Sequence, residues 1–128
     1  MSGTQPLSIV VRLTDVSIAR SELEAALDLV LDRFEPHRGR QANYAQIYIA
    51  EEADYWAAAH RIILPLKDKL QALHSAGSIG ALSIDAAVPF RDNLMATSTM
   101  IPSALAQLAG QIGIDIDIEI SIYRTEAK

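Results

Sequence analysis

The sequence predicts an α+β two-layer sandwich, a four-stranded sheet with three main helices on one face, in the order βαβαβαβ. Three observations carry this expectation. Segments of period two and segments of helical period take turns along the chain. The last apolar segment, residues 114–123, sets isoleucine against acid or hydroxyl at every second position. Half of the 128 residues are apolar and 21% are charged, which suits one globular domain, 1–128, with its own core. Alternating strands and helices favour a parallel sheet in general. Strands buried on both faces read as continuous apolar runs, however, and at least three of these strands alternate. One wet sheet face is therefore expected.

Leu7, Ile9, Val11 and Leu13 share one parity, with Ser8, Arg12 and Thr14 on the other, so this segment reads as a half-buried strand. Ser21 to Glu24 has the spacing of a capping box. Leu23, Leu27, Val30, Leu31 and Phe34 follow at helical spacing, and Pro36 and Gly39 punctuate the end. A helix over 18–34 is predicted. Residues 43–50 form a second strand, with apolar or aromatic groups on both parities. Glu51, Glu52 and Asp54 open a second helix, whose stripe is Trp56, Ala59, Ile63, Leu66, Leu70 and Leu73. Pro65 lies inside it and either kinks it or splits it in two. Gly77 and Gly80 close the element.

Leu82, Ile84, Ala86, Val88 and Phe90 alternate with smaller or polar residues and make the third strand; Pro89 marks its end or an exposed edge. Pro102 starts a third helix striped by Leu105, Leu108, Ala109 and Ile112, ended by Gly110 or Gly113. The hydroxyls of Thr97, Ser98 and Thr99 precede that helix as caps. In the final strand Ile114, Ile116, Ile118, Ile120 and Ile122 face away from Asp115, Asp117, Glu119, Ser121 and Tyr123.

An N-terminal strand, a first helix ending near Phe34-Glu35-Pro36 and Gly39, and a central helix are followed by the alternating strand Leu82–Phe90. Then come Ile101-Pro102 with Leu105 and Leu108-Ala109, and a closing Ile120-Ser121-Ile122-Tyr123. In these packing and punctuation signals the chain resembles the small uncharacterised bacterial families known as domains of unknown function. The resemblance implies no activity and transfers no functional residue.

Composition excludes several classes. There is no cysteine, so thiol nucleophiles, disulfides, thiolate zinc and iron–sulfur centres fall away. The net charge of -5 opposes nucleic-acid binding, and the aromatics (one Trp, four Tyr, two Phe) are too few for a base-stacking platform. No signal-peptide pattern and no membrane-spanning apolar run is found, so a cytoplasmic protein with no membrane partner is expected. His37, His60 and His74 are too widely spaced for a local metal motif, and neither a Gly-x-Ser-x-Gly elbow nor a phosphate-cradling glycine pattern occurs. No catalytic set, metal or cofactor is assigned; the residues lean away from an enzyme without deciding whether a reaction is catalysed.

Two surfaces remain. Arg12, Tyr44, Tyr48, Asp115, Asp117, Glu119 and Tyr123 would lie on the helix-free sheet face. Three carboxylates on alternate strand residues, about 6.7 Å apart, stay solvated or meet a basic partner. The first expectation is therefore a non-enzymatic interaction module, regulatory or immunity-type, whose partner is another protein or a second copy in a homodimer. The alternative is a small-molecule or anion-binding domain, extending to a hydrolase or transferase. It would use guanidinium groups in two loops, Arg38 with Arg40 and Arg91 with Asn93.

Overall fold

The computed structural model describes residues 4–36, 42–49, 54–91 and 95–123. Along the chain run β1 (Ser8–Val16), α1 (Arg20–Leu27), β2 (Arg33–Pro36), β3 (Asn43–Tyr48) and α2 (Tyr55–Ile63). A 3-10 turn at Leu64–Leu66 leads to α3 (Lys67–Ser75), β4 (Ala81–Arg91), α4 (Ser103–Ile112) and β5 (Asp115–Tyr123). The strands form one mixed sheet in the order β2-β3-β1-β4-β5. β1 is antiparallel to both neighbours, β2 is antiparallel to β3, and β4 pairs with β5 in parallel across the α4 connection.

The α+β class and its helical complement are as expected, but the sheet has five strands, not four, and two strands stand between the first two helices. The difference lies at residues 28–36. Asp28 adopts a left-handed backbone (φ 56°) and stops α1 a few residues after it begins. The Leu29 N–H then bonds to the Glu24 carbonyl at 3.2 Å, closing the helix end. A short polar side chain tolerates that conformation better than most. Two side chains of α1 hold the next stretch. The Glu24 carboxylate accepts from the Leu31 N–H at 2.8 Å, and Arg20 donates to the Leu31 carbonyl at 2.8 Å. Glu24 thus serves Leu31 rather than a capping box, and the helix starts after Ala19 with no side-chain cap. Leu31 is buried, and Phe34 lies on a strand rather than a helix.

Pro65 splits the central helix. The 3-10 turn around it lets the buried stripe continue from Trp56, Ala59 and Ile63 to Leu66 and Leu70 without the deleted backbone bond disrupting either side. Gly113, at φ 90°, ends α4 where an L side chain would be strained. Pro89 lies inside β4 rather than ending it. Its missing N–H faces the side of β1, whose last partnered residue there is Ser8 opposite Ala87.

Packing separates the two sheet faces. Ile9, Val11, Leu13, Ala45, Ile47, Leu82, Ile84 and Ala86 point to one side and are buried. They meet Leu23, Trp56, Leu70, Leu105 and Leu108 from all four helices in one core. Each buried leucine, isoleucine or valine among them contributes about 1.5–3 kcal/mol by leaving water. The hydroxyls at 97–99 do not cap α4. Thr99 accepts from the Trp56 indole N–H at 2.9 Å, and Thr97 and Thr4 hydroxyls meet at 2.8 Å, fastening the segment before α4 to the core and to the N-terminal stretch. No described helix is long and apolar enough to cross a membrane.

Candidate functional site: the helix-free sheet face

The cross-strand register arranges the second face in rows. Arg33, Gln46, Arg12, Ser83 and Asp115 are successive partners across all five strands. Tyr48, Val10, Asp85 and Asp117 form the next row, and Ser8, Ala87 and Glu119 the one after. Tyr44 sits opposite Glu35, and Tyr123 keeps the same parity at the end of β5. Arg12, Tyr44, Tyr48, Asp115, Asp117 and Glu119 therefore share the parity opposite the buried core, and among the described residues no helix covers that face.

The face has two unlike halves. Over β2, β3 and β1 the cations are satisfied. Arg33 meets Glu35 at 2.7 Å, and Arg12 meets Asp85 at 2.7 Å. Both guanidiniums also lie over the Tyr44 ring, at 5.8 and 6.0 Å from its centre. Beneath this cover Gln46 is buried and donates to the Tyr44 hydroxyl. The Glu35 carboxylate, by hydrogen bond and by charge, raises the Arg33 guanidinium above its ordinary value.

Over β4 and β5 the balance is acidic. Asp85 is occupied by Arg12 and by the Ser83 hydroxyl at 2.8 Å. Asp115, Asp117 and Glu119 are exposed, and among the described residues none forms an ion pair. Arg12 thus neutralises an acid of β4 instead of relieving the β5 column. Sequence inspection missed Asp85, Ser83, Arg33, Glu35 and Gln46 here. Parity within β4 marks Asp85 and Ser83, since both oppose Leu82, Ile84 and Ala86. Arg33 and Glu35 required β2 to be recognised as a strand.

Two shallow concavities mark the face. One, about 130 Å³, is lined by Val10, Arg12, Asp85, Ala87, Asp117 and Glu119, and is too small for a metabolite-sized ligand. The other, about 400 Å³, lies at the end of β1 and β3 beside Arg33, Gln46 and Tyr48. Among the described residues no three His, Asp or Glu side chains converge as metal ligands.

Arg38, Arg40 and Asn93 of the alternative site lie outside the described residues, and of Arg91 only the backbone position is described. The strand ends that border the two loops are far apart. Pro36 and Asn43 adjoin the Val16 end of β1, whereas β4 runs to Arg91 past the Ser8 end. About 40 Å of strand separates these ends.

No protein-family model matches the chain, and no curated protein or solved structure shows significant similarity to it. The sheet face is thus the ground on which a function must be argued.

Proposed function

We propose that the chain is a non-enzymatic interaction module, of regulatory or immunity type, which engages a basic protein through the helix-free face of its sheet. One observation carries this reading. Asp115, Asp117 and Glu119 stand exposed in a column on a face that no described helix covers, while Arg12 and Arg33 on that face are engaged by Asp85 and Glu35. Tyr48, 51% exposed and in the same cross-strand row as Asp117 three strands away, offers the amphipathic contact area that interfaces favour. Such a face draws a positively charged partner by long-range attraction, which speeds association and is screened by salt.

A pull-down at low and high salt, repeated with Asp117→Lys, tests the reading. Capture of a basic protein at low salt, weakened by high salt and lost with Asp117→Lys, is the expected result. Capture indifferent to both salt and the substitution, or none under either condition, contradicts it.

A further inference from the structure

β5 is an edge strand with two uncommitted surfaces. It runs nine residues, about 30 Å, and pairs only with β4. Among the described residues nothing hydrogen-bonds to its outer side. On the helix side the cover thins along the strand: Ile114 is buried, Ile116 and Ile118 are half-buried, and Ile120 is 59% exposed. An unpaired backbone flanked by uncovered aliphatic groups is a template for another strand. The acids on the opposite parity decide which strand fits.

We infer that β5 accepts an extended segment of a partner protein by strand addition, and that this segment alternates basic with aliphatic residues. This deepens the interaction reading above and rests on it. Strand addition supplies affinity through backbone bonds, and alternating side chains supply selection. Added beside β5, every second residue of the incoming strand lies next to Asp115, Asp117 and Glu119, where Lys or Arg is favoured. The residues between lie beside Ile116, Ile118 and Ile120, where aliphatic groups are favoured. A second copy of this chain is the wrong occupant. Two β5 strands joined antiparallel, edge to edge, keep their parity, so the acids of both would crowd onto one sheet face, where neighbouring like charges repel.

The test uses the full chain and two short synthetic peptides of one composition. In the first, lysine and valine alternate; in the second they form two blocks. Binding is read by fluorescence anisotropy and backbone protection by amide hydrogen exchange. The alternating peptide is expected to bind at least about tenfold more tightly than its block isomer. Slower exchange is also expected in residues 115–123. Asp117→Lys abolishes binding, and Ile120→Lys, a change at an exposed site, weakens it. Circular dichroism of both variants checks that the fold persists. Equal binding of both peptides, sensitive to Asp117→Lys but without protection of β5, overturns strand addition while leaving the acidic face as a docking surface. No binding by either peptide, or binding indifferent to Asp117→Lys, overturns both.

Discussion

β2, at one edge of the sheet, is four residues long, ends in Pro36, and carries an internal Arg33–Glu35 pair. It is anchored from behind, since Leu31 just before it is buried and gripped by Arg20 and Glu24. β5, at the other edge, is more than twice as long, carries no proline, and has exposed side chains on both faces toward its end. Short length and proline blunt the first edge as a pairing site; among the described residues charge alone guards the second. The contrast is why the β5 half of the open face is read as the working surface, and the β2 half as its braced support.

The contrast is sharpest in stability. Leu31→Ala should cost about 3 kcal/mol, since it empties a buried site at the anchored edge. Ile120→Ala should cost less than about 1 kcal/mol, because that side chain is largely in water already. Urea unfolding of both variants compares them directly, and equal losses would erase the distinction. Glu24→Ala comes next, at about 1–2 kcal/mol, because the Leu31 amide loses its acceptor in a partly buried place.

Neutralising the β5 column with Asp115→Asn, Asp117→Asn and Glu119→Gln should change stability by no more than about 0.5 kcal/mol. It should make the chain self-associate, seen as a concentration-dependent shift in size-exclusion chromatography. A variant that stayed monomeric would show that charge is not what guards this edge. The smallest effect is expected at β2. Glu35→Gln removes the partner that raises the Arg33 guanidinium. A raised folded-state value stabilises below the ordinary arginine value and is lost only as pH climbs through the folded one, far above neutral, so the unfolding midpoint should be flat with pH across the neutral range for this pair. The pair is exposed and screened, and its loss should barely move that midpoint.

Much of this was legible in the chain because strand parity and helix stripe are local signals. The alternation of Ile with Asp and Glu placed β5 and both of its faces, and Leu105, Leu108, Ala109 and Ile112 are the buried stripe of α4. What escaped depended on single backbone angles or on distant pairing. The spacing of Leu27, Leu31 and Phe34 continues a helical pattern straight through the left-handed turn at Asp28, so β2 was hidden inside a helix. That Asp85 claims Arg12 follows from β4 lying between β1 and β5, which no local pattern encodes.

The central claim is that helices cover the isoleucine side of the sheet and leave the carboxylate side open. The absence of cysteine makes a direct test clean. Single variants Asp117→Cys and Ala86→Cys place one thiol on each face of neighbouring strands, and their rates of reaction with a maleimide report access. Asp117→Cys should react as fast as a free thiol and Ala86→Cys at least about 100-fold more slowly, since it must await opening of the core. Comparable protection of both thiols would mean that both faces are covered, and would contradict the account.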